Sequence, residues 1–115
     1  GRKDGVFKKY YEKGGLAESA TYKNGIMEGE LNLYFPSGAI KEKYNYLNNK
    51  RHGTYQQYFE SGTIKMEGNY KNGLREGAFF KYFESGEEAG IVRYKNGIIE
   101  SGSEEEETEE EVSTE

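Results

Sequence analysis

Few side chains in this chain could take part in chemistry, and their spacing narrows the choice. His52 is the only histidine among 115 residues. It stands where Glu28, Glu76 and Glu100 stand in a 24-residue frame, which marks a surface position at the start of a strand rather than a general base. Ser37, Ser61 and Ser85 each precede a glycine in a turn-like setting, and no serine has a base and an orienting acid beside it in sequence. The glycines never form a phosphate-binding G-x-G-x-x-G ahead of a helix. The run Glu104 to Glu107 and Glu109 to Glu111 lacks the alternating ligands and central glycine of a calcium loop. With no cysteine there is neither a thiolate metal site nor a disulfide framework. These residues give no catalytic centre, no metal and no cofactor.

A row of tyrosines is left. Tyr10, Tyr34, Tyr58 and Tyr82 recur every 24 residues. With Gln56 and the nearby Lys41, Lys43 and Lys65 they form the candidate partner-binding set, a surface suited to a protein or a polysaccharide. The alternation places these rings opposite the core face, as a regular aromatic ladder toward solvent or as rings packed on one another across strands. Single-stranded nucleic acid would use similar stacking, but the charge opposes it: residues 1–100 carry a net +3 and residues 101–115 a net −8.

The elements that position these side chains follow from the repeat. An opening glycine returns as Gly5, Gly29, Gly53 and Gly77, a turn glycine as Gly14, Gly38, Gly62 and Gly86, and a late tyrosine as Tyr22, Tyr46, Tyr70 and Tyr94, without insertion or deletion. Four units result, 5–28, 29–52, 53–76 and 77–100, after a lead-in at 1–4. Each holds two turns. Phe35-Pro36-Ser37-Gly38 and its equivalents describe a type I turn closed by a glycine bulge. Lys23-Asn24-Gly25, Lys71-Asn72-Gly73 and Lys95-Asn96-Gly97 are the strongest short-range hairpin signal. Leu47-Asn48-Asn49 departs from it, but asparagine tolerates the left-handed region, so the turn is expected to persist.

Two strands lie between the turns. Leu31, Leu33 and Phe35 share one face of the first strand, and Ile40, Glu42, Tyr44 and Tyr46 one face of the second. Short hairpins make consecutive strands antiparallel neighbours. The expected fold is therefore all-β, an antiparallel meander of about eight strands forming an elongated, twisted or curled sheet with one aromatic face and one wet, charged face. A hydrophobic content of only 33% with 11 Tyr and 6 Phe fits half-buried sheet positions. Ser101 replaces the glycine that would open a fifth unit, and residues 101–115 read as a disordered acidic tail.

The pattern G-x-[FYL]-x-x-[YF]-[YF]-x-x-G, followed by a strand closing in Y-K-N-G, resembles the variant of the membrane occupation and recognition nexus repeat, the MORN variant, found in bacterial proteins of the YwqK antitoxin type. The resemblance spans Gly5 to Glu100. It implies a stack of β-hairpins serving as a non-enzymatic scaffold for a partner protein, a toxin where the antitoxin label holds. A cell-envelope glycan or polymer bound on the aromatic ladder is the alternative. No run reaches the roughly 18 apolar residues of a membrane span, and the sequence leaves a cytoplasmic and an envelope or secreted setting both open. The unit's most regular residues are structural, so function is expected on the tyrosine row or on positions that vary between copies.

Overall fold

The computed structural model describes residues 3–104, with side chains through Gly102. Every element among them is a strand: β1 Gly5–Tyr10, β2 Leu16–Lys23, β3 Ile26–Tyr34, β4 Ile40–Leu47, β5 Lys50–Arg51, β6 Gly53–Tyr58, β7 Ile64–Lys71, β8 Leu74–Tyr82, β9 Glu88–Lys95 and β10 Ile98–Glu104. They form one antiparallel sheet in chain order, with the two-residue β5 paired to β4 off the main path. The sheet is open and curled, with extents of 49 × 36 × 22 Å.

The turns explain the meander. Gly14, Gly38, Gly62 and Gly86 have φ between 100° and 111°, and each donates its N–H to the carbonyl of the aromatic residue three positions earlier, as in Gly38 N to Phe35 O at 2.8 Å. A left-handed glycine after a type I turn is the expected closure of this loop. At the other end Asn24-Gly25, Asn48-Asn49, Asn72-Gly73 and Asn96-Gly97 all have positive φ at both positions, which defines a type I′ turn. Asn49 holds the left-handed conformation at φ 67° without being glycine, so the second unit keeps its turn. A further bond anchors each of these turns to the strand entry 22 residues earlier: Gly25, Asn49, Gly73 and Gly97 donate to the carbonyls of Lys3, Met27, Arg51 and Arg75 at 2.7–3.0 Å.

Ten strands rather than about eight result for two reasons. The pairing of β4 with the next strand breaks at His52, whose N–H donates to Asn45 O at 2.8 Å, leaving β5 and β6 as separate segments. Beyond the fourth type I′ turn the chain pairs back on β9 as β10, through Glu104. Ser101–Glu104 therefore lie in a strand that runs past the expected start of the acidic tail; the rest of that segment lies outside the described residues.

One face carries the aromatic ridge. Partners directly across an antiparallel pair share a face, and Tyr22, Tyr46, Tyr70 and Tyr94 each stand opposite an opening glycine, Gly5, Gly29, Gly53 and Gly77. In three of the four units the tyrosine ring leans along the sheet onto the aromatic residue two positions after that glycine. Phe7–Tyr22, Tyr55–Tyr70 and Phe79–Tyr94 meet edge-on with centroids 5.6, 5.6 and 5.3 Å apart, a geometry worth about 0.5–1.5 kcal/mol per pair beyond area burial. Tyr55, Tyr70 and Phe79 form the buried cluster, with Tyr44, Met66 and Tyr94 against it. Cations close the ridge from above: the Arg51 guanidinium sits 4.2 Å from the Tyr44 ring centre and Arg75 4.8 Å from that of Phe79.

Phe79, only 1% exposed, lies over Gly68: a Cβ there would come within 2.5 Å of the ring. Gly68→Ala should therefore lower unfolding free energy in urea by about 1–3 kcal/mol through overpacking. Combined with Phe79→Ala, it should cost less than the sum of the single changes because the two sites share one volume. Strict additivity would show that the ring does not depend on the missing side chain.

Candidate polar-face interaction site

The face opposite the ridge holds an unbroken row of cross-strand partners. Lys8, Ser19, Asn32, Lys43, Gln56, Glu67, Phe80 and Ile91 stand side by side from β1 to β9. In the 24-residue frame they occupy two positions. Lys8, Asn32, Gln56 and Phe80 share one, and Ser19, Lys43, Glu67 and Ile91 the other, so neither position keeps a single residue type in any two units. The row begins cationic, becomes mixed at Lys43, Gln56 and Glu67, and ends apolar. The wet face is thus not uniformly polar: Phe80 and Ile91 pair on it, and Ala89, two residues before Ile91, is 0% exposed.

Glu67 is the centre of this face. It lines two adjoining open grooves, one of about 240 Å³ with Thr54, Tyr55, Gln56, Gly68, Asn69, Ala78 and Phe80, and one of about 470 Å³ with Gly62, Thr63, Ile64, Tyr82 and Gly86. Its Oε2 accepts a hydrogen bond from the Tyr82 hydroxyl at 2.8 Å. That bond to a carboxylate, aided by burial, pushes the Tyr82 hydroxyl up from 10.0 to about 12. The Tyr58 hydroxyl donates to Gln56 Oε1 at 3.0 Å.

The structure thus places Gln56 and Tyr82 beside Glu67, with Lys43 and Tyr58 next to Gln56, and the remaining candidates stand apart. Tyr10 projects from the edge strand β1 at 61% exposure. Tyr34 is half-buried on β3. Successive members of the tyrosine row sit two strands apart, about 10 Å at normal strand spacing, and no ring contact joins them among the described residues. They form neither a continuous ladder nor a packed stack. Lys41 and Lys65 lie at the first-turn end, their ammonium groups 5.8 and 5.5 Å from the Phe35 and Phe59 ring centres. Sequence reading missed Glu67, Phe80, Thr54, Asn69 and Ala78. For Glu67, Phe80, Thr54 and Ala78 the signal was variation between copies, which only the strand register turns into a contiguous surface.

His52 has a structural role. Its Nδ1 accepts the backbone N–H of Asn72 at 3.3 Å. Asp4 Oδ1 and Glu76 Oε1 do the same for Asn24 and Asn96 at 3.0 Å, so this frame position supplies an acceptor to the type I′ turn. On the ridge face, Glu42 Oε1 accepts hydroxyls from Tyr44 at 2.6 Å and Tyr55 at 3.3 Å. Burial first, then this carboxylate, pushes the Tyr44 hydroxyl up to about 12; burial and the Glu42 charge raise Tyr55 as well. No group of three or more histidine, cysteine, aspartate or glutamate side chains is placed to hold a metal among the described residues, and no helix among them is long and apolar enough to cross a membrane.

A continuous hairpin sheet with an aromatic ridge on one face and a mixed row of side chains on the other defines a β-hairpin repeat module. Residues 3–24, 27–48 and 51–72 match the MORN repeat variant, more than half of the chain, and the protein belongs to that repeat family. No curated protein matches the sequence. Each matched stretch starts two residues before an opening glycine and ends at the type I′ turn. Residues 75–96 fold the same way, with Gly77 opposite Tyr94 and Asn96-Gly97 at the turn.

Two measurements test these assignments. His52→Ala should lower unfolding free energy by about 0.5–1.5 kcal/mol and His52→Glu should restore it; equal losses from both would remove the acceptor role. In a spectrophotometric titration of the folded protein, Tyr44 should ionise near 12, and in Glu42→Gln it should move down toward 10.0. Because the folded value lies above the unfolded one, this contribution to stability is complete below pH 10 and is lost as pH rises toward 12. An unchanged titration in Glu42→Gln would contradict the assignment.

Proposed function

We propose that the protein is a non-enzymatic interaction module that binds a partner protein on its polar face, centred on Lys43, Gln56, Glu67, Phe80, Tyr58 and Tyr82. The observation that carries this reading is the contiguity of the variable positions. Residues that differ from copy to copy fall into one row across eight strands beside two open grooves, on the face turned away from the packed rings. A surface with a cation, an amide, a carboxylate and an aromatic side by side, passing into an apolar end, has the mixed chemistry of a protein interface. Tyrosine rings already tethered by Gln56 and Glu67 lose little freedom when a partner settles on them.

Membership in the MORN repeat variant family supports a repeat-based binding module. The resemblance to antitoxin proteins makes a toxin the first partner to try, with the polar face covering the surface that the toxin uses. Polysaccharide binding on the tyrosine row is the weaker reading, because rings about 10 Å apart with tethered hydroxyls offer no continuous stacking platform.

A photoreactive residue at Gln56 should crosslink one protein in the native host, and the same residue at Lys13, on the first-turn end, should not. Glu67→Lys should weaken the reconstituted complex by about tenfold or more while changing the unfolding free energy by no more than about 1 kcal/mol. A saccharide as the crosslinked product, or equal labelling from both positions, would overturn the reading.

A further inference from the structure

The Asn-turn end of the polar face carries a second regular feature. The residues that close the four type I′ turns pair as Lys23 with Ile26, Leu47 with Lys50, Lys71 with Leu74, and Lys95 with Ile98. Every turn therefore sets one cation beside one branched aliphatic side chain. The second unit exchanges their order and keeps the composition. All four lysines are exposed, and none of their ammonium groups makes a hydrogen bond, ion pair or ring contact among the described residues. The aliphatic partners remain open too: Ile26 is 36% exposed, Leu47 43%, Leu74 48% and Ile98 71%. By contrast Lys3, Arg51 and Arg75, nearby in sequence, cover aromatic rings of the opposite face.

Alternation fixes the side on which these pairs lie. Tyr22, Tyr46, Tyr70 and Tyr94 belong to the ridge, so the next residues, Lys23, Leu47, Lys71 and Lys95, point to the polar face. The pairs border the site described above, and the inference rests on the reading of that face as a protein interface.

We propose that this edge receives an acidic amphipathic helix of the partner, with carboxylates and apolar side chains recurring every seventh residue. Successive turns are two strands apart, about 10 Å, and seven helical residues rise by about the same distance. A helix laid along the edge thus brings the same face back to each turn, where a carboxylate meets the lysine and an apolar residue meets the aliphatic side chain. An extended strand fits less well. It needs three residues to cover that distance, and its side chains alternate, so successive contacts would point to opposite sides. A bilayer is disfavoured by the turn tips: Asn24-Gly25, Asn48-Asn49, Asn72-Gly73 and Asn96-Gly97 extend beyond the paired side chains, and their amides would enter the apolar layer first.

The test uses the full chain and a synthetic four-heptad helical peptide bearing glutamate and leucine on one face. A second peptide has the same composition in scrambled order, and vesicles of phosphatidylserine and phosphatidylcholine are the third probe. Titration calorimetry should show binding to the patterned peptide at least about tenfold tighter than to the scrambled one, and a further loss of about tenfold in the K23E/K71E/K95E variant. Equal affinity for both peptides, no binding of the patterned peptide, or vesicle binding alone would overturn the proposal. Loss of the native partner in Glu67→Lys but not in K23E/K71E/K95E would overturn it while leaving the polar-face reading intact. Loss in the triple variant alone would support the helix and count against the site at Glu67.

Discussion

The fold depends on aromatic rings that meet across neighbouring strands. An opening glycine with φ between 82° and 107° stands opposite a tyrosine in every unit, and in three units the tyrosine ring meets the aromatic residue two positions after that glycine on the first strand. The contact joins the two strands of a hairpin, and through Tyr44–Tyr55 and Tyr70–Phe79, with centroids 4.8 and 5.8 Å apart, it continues from one hairpin to the next. A chain with little aliphatic content can therefore hold a ten-stranded sheet with no second layer among the described residues, because its buried surface is largely aromatic and arranged as one ridge. Arginine reinforces the ridge: Arg75 donates to the hydroxyls of Tyr70 at 3.3 Å and Tyr94 at 2.9 Å while stacking on Phe79.

Placing the structural work on one face frees the other. The residues that hold the frame are the ridge aromatics, the glycines, the asparagines and the acceptors at Asp4, His52 and Glu76. The polar-face row is bound by none of these requirements. Gln56 and Phe80 occupy equivalent positions and differ completely in chemistry, as do Lys43 and Glu67, without altering the strand pairing around them. A module built this way can change what it recognises by substitution on one face.

Much of this was legible in the sequence because turns are local. Gly38 and Asn24-Gly25 announce their conformations through steric rules that need no tertiary context, and their spacing alone gives the meander. The family resemblance read from the tyrosine and Y-K-N-G pattern agrees with the repeat match. The candidate site was only partly legible. Tyr58, Tyr82, Gln56 and Lys43 do lie on the polar face near one another, but Glu67 and Phe80 become their neighbours through register. That register shifts at bulges such as the one between Gln57 and Tyr58, which alternation along one strand cannot reveal. The role of His52 was hidden for a related reason: its partner is the N–H of Asn72, 20 residues away across a hairpin.

The central claim is that the ridge holds the fold and the polar face does not. Urea unfolding of two variants tests it most directly. Lys43→Ala, Gln56→Ala and Glu67→Ala combined should unfold within about 1 kcal/mol of the parent, whereas Tyr70→Ala alone should lose about 3–5 kcal/mol. A triple variant as unstable as Tyr70→Ala would show that the polar row is part of the frame, and the account would fail.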